Sequence, residues 1–397
     1  MGGHSLLIDP VVSIEKCSDP HDEKAVEKAV RSSVDLLGGL NALIMPGDTV
    51  LIKPNLVDNY DYKTGATTNP YVVRALIRMT KQTGAKKVIV ADGSRVGLDT
   101  EIALAGTGMR KACEEMGAEV RDLKKDRYEV AFVPNGRIFR KIRMPRTFFE
   151  ADIVMNVPVM KTHDSEPVTL GFKNMKGLIH ERDKKRFHRW GLTQSILDLN
   201  KIALPHLTVL DGTVAMEGAG PLFGTPVHLG LIVASFNTLA ADTVAAAIMG
   251  YSVEEIPYLK MAEEQGLGTA NLKKIQIVGE DLKRVKRPFK RIDLSMDRYG
   301  DHEIEVFSEG ACSGCNQYVE SFLLTLERED RLKELAGSSI VFGQTAKLPE
   351  IFPEDLIRIG TCTRKMKGKG DYLPGCPPHP VDFRDLLERR AKRKSHN

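Results

Sequence analysis

Apolar residues along the chain fall into short continuous runs separated by longer stretches of helical spacing. Runs rich in Val, Ile and Leu occupy about 49–57, 87–92, 152–159, 207–211, 229–234, 275–278, 340–343 and 357–360. Between them, apolar residues recur at three- and four-residue intervals over roughly 22–39, 99–117, 192–202, 238–249 and 254–265. Asn69 and Pro70 followed by Val72, Val73, Leu76, Ile77 and Met79 read as an N-cap, a first-turn proline and an apolar stripe. Strands that are apolar throughout, alternating with helices, predict an α/β fold: a mostly parallel sheet with helices on both faces.

The chain has 397 residues, enough for two or three domains. A basic stretch with a proline, 281–292, predicts a boundary: an α/β domain over 1–290 and a smaller C-terminal α/β cysteine-cluster region over 291–397. That stretch reads as a solvated connector. The basic residues 389–394 read as the end of a terminal helix running past Leu386 and Leu387. A net charge of +4 and the lack of aromatic residues beside the basic runs argue against nucleic acid. No apolar run approaches the roughly 18–20 residues that span a bilayer, and the first residues lack the features of a signal peptide. The expected location is the cytoplasm.

Six cysteines are too few for a disulfide scaffold. Cys113 lies on a helical pattern and reads as a small core residue, and Cys17 has no Cys or His partner at ligand spacing. The other four are crowded near the C-terminus: Cys312 and Cys315, two residues apart around Ser313 and Gly314, then Cys362 and Cys376. Four thiolates suit Zn²⁺ or an iron–sulfur cluster. The proline after Cys376 favours a [4Fe-4S] cluster, since such a proline shields a cluster and fixes its loop. The runs Glu309-Gly-Ala-Cys-Ser-Gly-Cys315, Ile359-Gly-Thr-Cys362 and Pro374-Gly-Cys-Pro-Pro378 resemble the proximal [4Fe-4S] region of nickel–iron hydrogenase small subunits and the related subunit of respiratory complex I. The resemblance covers about 305–380 and implies one cluster on a flavodoxin-like fold. The chain departs from it in a shorter spacing between its second and third cysteines, and it lacks complex I's paired adjacent cysteines.

In the first domain, polar residues gather where predicted strands end, the usual ligand edge of an open α/β sheet. Lys53 and Asn55 follow the first strong strand, Asp92 the second, Lys161 and His163 the third, and Asp211 the fourth. Downstream lie Lys173, Asn174 and Lys176. Lys53, Lys161, Lys173 and Lys176 would make a positive pocket for a carboxylate or phosphate. A lysine flanked by strand residues, as Lys53 is, serves poorly as a merely solvated charge. His163 and Lys161 are the catalytic candidates. Lys53, Asn55, Lys173, Asn174, Asp92 and Asp211 are the substrate-binding ones. His180 and His188, in a run of charges, are expected to be exposed.

The segments Leu51-Ile-Lys-Pro-Asn-Leu-Val57, Pro158-Val-Met-Lys-Thr-His163, Val168-Thr-Leu-Gly-Phe-Lys-Asn-Met-Lys-Gly177 and Asp211-Gly-Thr-Val-Ala-Met-Glu-Gly-Ala-Gly-Pro221 resemble the DUF362 family over about 45–270. Members often carry iron–sulfur cysteines beside this domain. At the level of fold it is distantly similar to the nickel-dependent lactate racemase family, from which no residue role is carried over. The glycine-rich segment 216–224 is not a dinucleotide fingerprint, so a nicotinamide cofactor is not expected, whereas flavin stays open. The combined expectation is an iron–sulfur oxidoreductase passing electrons to or from a small anionic substrate, with a ferredoxin-like redox partner, in an anaerobe. The alternatives are a non-redox isomerase or hydrolase with structural zinc, and a non-enzymatic electron carrier or cofactor-assembly protein.

Overall fold

A computed structural model of the chain describes residues 10–163, 166–291, 296–347, 355–367, 370–376, 378 and 380–394. The chain forms two compact units, one from residues 1–184 and 193–292, the other from 185–192 and 293–397.

The first unit is built on strands β1 (Val11–Lys16), β2 (Thr49–Pro54), β3 (Lys87–Asp92), β4 (Glu119–Asp122), β5 (Tyr128–Phe132), β6 (Lys141–Pro145), β7 (Ile153–Val157), β8 (Val159–Thr162), β9 (Val168–Thr169), β10 (Leu207–Glu217), β11 (Thr225–Val227), β12 (Leu231–Ser235) and β13 (Gln276–Gly279). The main sheet runs β13-β1-β12-β10-β7-β2-β3-β4, with β8 and β11 paired to β10, and β9 to β8. Along this path only the two pairings of β12 are antiparallel. β5 and β6 form a separate antiparallel hairpin.

Both faces are covered because the strands are apolar on both sides. Val50, Ile52, Val88, Val90, Met155, Val157, Leu207 and Val209 pack with Val26, Val30, Val73 and Leu76 of the helices Glu23–Asp35 and Pro70–Gln82. The alternate residue Thr208 points the other way and bonds Thr238 of the helix Thr238–Ile248 at 2.9 Å. Asn69 caps the helix Pro70–Gln82 by accepting from the Tyr71 amide at 3.0 Å, as the sequence pattern predicts. The helical pattern 99–117 is instead two short helices, Thr100–Gly106 and Met109–Glu114, separated at Gly108, whose φ is +70°. Cys113 is fully buried in this core.

The chain adds β3 and β4 on one side of β2 and then returns to place β7 and β10 on the other. Sheet growth therefore reverses between β2 and β7, the switch point at which open α/β sheets bind ligands beyond the strand ends.

The second unit has four parallel strands in sequential order: β14 (Glu305–Phe307), β15 (Ser339–Val341), β16 (Leu356–Ile359) and β17 (Gly370–Leu373). The helices Ser313–Arg328 and Pro380–Lys394 contribute Val319, Leu323, Leu326, Phe383 and Leu386 to its core. The basic C-terminal run is helical, as the sequence suggests. Its Arg390 is nearly buried, bonding Ser338 at 2.7 Å and pairing with Asp355 and Asp371.

Candidate functional site

At the switch point the ends of β2, β3, β7 and β8 carry a buried polar network. Lys53, the penultimate residue of β2, is opposite Asn156 of β7. Its Nζ lies 2.8 Å from Asp92 Oδ1 at the end of β3 and donates to the Pro54 carbonyl at 3.0 Å. The other Asp92 oxygen accepts the Leu56 amide at 2.8 Å. Both side chains are almost wholly buried. Burial pushes the Lys53 ammonium below its ordinary value, and Asp92 opposes that. Gly177 covers the pair so closely that a Cβ there would lie 2.1 Å from Asp92 Oδ1 and 2.6 Å from Lys53 Nζ.

Lys161 begins a chain of donors. Its Nζ donates to Asn55 Oδ1 at 2.7 Å, to the Ala66 carbonyl at 2.5 Å and to the Pro221 carbonyl at 3.5 Å. Asn55 Nδ2 donates to Asn174 Oδ1 at 3.0 Å, Asn174 Nδ2 to Asn156 Oδ1 at 2.8 Å, and Asn156 Nδ2 to the Gly171 carbonyl at 2.9 Å. An ammonium has no acceptor, so Lys161 fixes the orientation of Asn55, and each amide then fixes the next. Bonds in such a series polarise one another. Burial lowers the Lys161 pKa to about 7, against the pull of Asp92.

The far end of the chain rests on Asp242, which accepts the Gly171 amide at 2.6 Å, the Phe172 amide at 2.9 Å and the Tyr258 hydroxyl at 3.1 Å. It thereby holds the short helix Gly171–Asn174 that delivers Lys173 and Asn174. Burial raises its pKa to about 7. Lys184 closes the other flank, donating to the Gly93 and Ser94 carbonyls at 2.7 and 3.1 Å. Burial brings its pKa down to about 7.

The sequence candidates thus separate. Lys53 and Asp92 form one pair; Lys161, Asn55 and Asn174 form one chain. Burial raises the pKa of Glu166 above its ordinary value, and the charges of Lys173 and Lys176 oppose that. His163 is buried where β8 ends. Asp211 is not at a strand exit: β10 continues through it to Glu217 because it pairs onward with β8 and β11. Its carboxylate accepts the Asn69 amide at 2.7 Å and the Thr213 amide and hydroxyl at 3.0 and 2.6 Å, and burial raises its pKa to about 6. Lys53 and Lys161, read as pocket lysines, have their ammonium groups engaged by the protein's own oxygens. His180, expected to be exposed, is half-buried, with its ring edge-on to Tyr128 at 4.7 Å. Asn156, Glu166, Lys184 and Asp242 were not singled out from sequence. For Asn156 and Asp242 the signal available was a polar residue inside an otherwise apolar strand or helix, whereas Lys184 lies in a run of charges and Glu166 outside any strand or helix, and neither carries that signal.

In the second unit the four cysteines come from three strand ends. Cys312 and Cys315 open the helix after β14, Cys362 sits in the turn Thr361–Thr363 after β16, and Cys376 follows β17. Thr361 donates through its amide and its hydroxyl to the Gly375 carbonyl at 2.7 and 2.9 Å, tying the last two loops together. A hydrogen bond between Cys315 and Cys312, then burial, then the charges of Cys312, Cys362 and Cys376 push the Cys315 thiol far up. Cys376 is also raised, chiefly by burial and by Cys312, while Arg189 and Lys185 oppose this. Gly360 has φ +89°, and a Cβ there would lie 3.4 Å from Cys315 Sγ and 3.5 Å from Cys362 Sγ. Among the described residues, no three His, Cys, Asp or Glu side chains close to metal-binding distance as they stand.

Fold and site define a two-unit α/β protein with a buried lysine–asparagine network in one unit and a cysteine quartet in the other. Residues 50–247 match the family model described as a domain of unknown function, DUF362. This span contains all four of the sequence segments that resemble the family. A thylakoid-associated protein of Synechocystis sp. is 28% identical over 258 residues, which are 63% of this chain and 78% of that protein. Among solved structures, the lactate racemase apoprotein of Thermoanaerobacterium thermosaccharolyticum aligns with a TM-score of 0.38 and 12% identity over 59% of this chain and 56% of that one. A Thermotoga maritima protein aligns with a TM-score of 0.37 and 14% identity over 62% of this chain and 60% of that one. The chain spans less than two thirds of either solved protein. No described helix is long and apolar enough to cross a membrane.

Proposed function

We propose that the protein is an iron–sulfur oxidoreductase acting on a small anionic substrate. The observation that carries this reading is the approach of Cys312, Cys315, Cys362 and Cys376 from three strand ends to within mutual electrostatic reach. The residues fit the group: four sulfur donors match the ligand set of a [4Fe-4S] cluster. A glycine at 360 keeps carbon out of the space beside two of the sulfurs. Arg189 and Lys185 favour the thiolate form at Cys376, which ligation requires. A cluster held there supplies reversible one-electron transfer.

In the first unit, Lys173 and Lys176 bind the substrate anion, and His163 moves a proton. The Lys53–Asp92 pair and the Lys161–Asn55–Asn174–Asn156 chain hold these groups in position beneath. Electrons arrive from or leave to a ferredoxin-like carrier. The competing reading, a non-redox isomerase or hydrolase with structural zinc, keeps the same quartet and differs in the metal.

The test is anaerobic reduction with dithionite, followed by reoxidation. A broad visible absorbance that bleaches and returns, and that is lost in Cys376→Ser, supports the proposal. A protein with no reversible visible change contradicts it.

A further inference from the structure

A cavity of about 670 Å³ opens in the first unit, away from the lysine–asparagine network. It lies where β1 ends and β12 begins, against the helix Glu23–Asp35, and none of Lys53, Asn55, Asp92, Lys161 or Asn174 lines it. Its walls carry five cations, Lys16, Lys28, Arg284, Lys286 and Arg287, against one carboxylate, Glu15. Two of the five are engaged: Lys16 pairs with Glu280 at 2.9 Å and Arg287 with Glu217 at 2.7 Å. For Lys28, Arg284 and Lys286, no carboxylate lies within ion-pair distance among the described residues.

The floor is different. Ala25, Ala29, Leu229, Leu231 and Val285 give it an apolar surface, and Ser18, Ser32, Thr213 and His228 place hydrogen-bonding groups beside it. The volume falls within the roughly 300–1,000 Å³ of small-molecule sites, and a few polar groups over an apolar floor is their usual make-up. Three cations from two segments, Lys28 on one and Arg284 and Lys286 on the other, line one concave surface and raise its positive potential, which attracts anions. The basic stretch 281–292, which composition marks as a solvated connector, supplies three of the lining cations.

We propose that this cavity is a second ligand site, and that its ligand is a small phosphorylated molecule. The phosphate is held by Lys28, Arg284 and Lys286 at the rim, and the organic body lies on the alanine and leucine floor. The site is independent of the iron–sulfur reading.

The test uses inorganic pyrophosphate as the probe and calorimetric titration of the full chain at low ionic strength. Saturable binding is expected, and raising the salt weakens it. A variant combining Lys28→Ala, Arg284→Ala and Lys286→Ala loses about tenfold or more in affinity, since three charge-assisted contacts are removed together. Lys260→Ala, at an exposed lysine that does not line the cavity, leaves binding unchanged. All three altered side chains are exposed, so the triple variant keeps its fold. A parallel arm measures sedimentation with phosphatidylcholine vesicles containing phosphatidylglycerol. The proposal is overturned by any of three results: no saturable pyrophosphate binding, binding equal in the triple variant, or association with the vesicles alone.

Discussion

Lys161 Nζ and Asn55 Oδ1 lie 2.7 Å apart, joining β8 to the loop after β2 across the point where sheet growth reverses. This contact starts a directional chain that ends on the Gly171 carbonyl. Asn55→Ala leaves Lys161 one acceptor short and Asn174 Oδ1 without its donor. The expected cost is about 2–4 kcal/mol, from two buried groups left short of partners. Asn55→Asp keeps the acceptor for Lys161 but sets oxygen against Asn174 Oδ1, so its loss is smaller. Urea denaturation of the two variants gives the order.

Gly177→Ala is expected to destabilise by about 1–3 kcal/mol, because its Cβ has no room over the Lys53–Asp92 pair. Asp92→Ala removes the counter-charge of a buried ammonium and costs more, about 3–5 kcal/mol. Both follow from the shift in denaturation midpoint.

Stability depends on pH in two opposite limbs. Asp242 has an unfolded pKa of 3.8 and a folded value of about 7. Between these the folded state holds more protons, so this group's contribution falls as pH rises. Lys161 has an unfolded value of 10.5 and a folded value of about 7. There the unfolded state holds more protons, and its contribution rises with pH above neutrality. Asp242→Asn is expected to flatten the acid limb and to leave the alkaline limb in place. Thermal melts across the pH range read both, and an unchanged acid limb in the variant contradicts the assignment.

In the second unit, Arg390→Ala leaves Asp371, which is 5% exposed, with Arg393 as its remaining cation among the described residues. Removing one partner of a buried ion pair typically costs about 3–5 kcal/mol. Arg390→Lys loses the forked geometry that reaches Ser338, Asp355 and Asp371 together, and is expected to fall between. A lower urea midpoint in both, in that order, checks it.

Much of the fold is legible in local pattern. Asn69 and Pro70 announce a helix start, and the apolar runs of β2, β3 and β7 announce a doubly covered sheet. The strand β1 escapes because Val-Val-Ser-Ile-Glu-Lys is a mixed run, yet its pairing to β12 and β13 makes it central. Lys53 and Lys161 stand out because a lysine among strand residues needs a partner. The partners themselves depend on register between distant strands, such as Lys53 opposite Asn156, which no local window contains. Asp242 lies unmarked in an alanine-rich helix, and Lys184 in a run of charges. The four cysteines are visible as a set, but their approach depends on β14, β16 and β17 being parallel strands of one sheet. All three of those strands are only three or four residues long, and each carries at least one charged residue.

The most direct measurement is iron, acid-labile sulfide and zinc per chain in anaerobically purified protein, with EPR of the reduced sample. A [4Fe-4S] cluster on the quartet gives about four irons and about four sulfides per chain and a signal on reduction, and Cys312→Ser or Cys362→Ser loses them. About one zinc per chain with no iron and no sulfide contradicts the proposed function and assigns the cysteines to a structural metal.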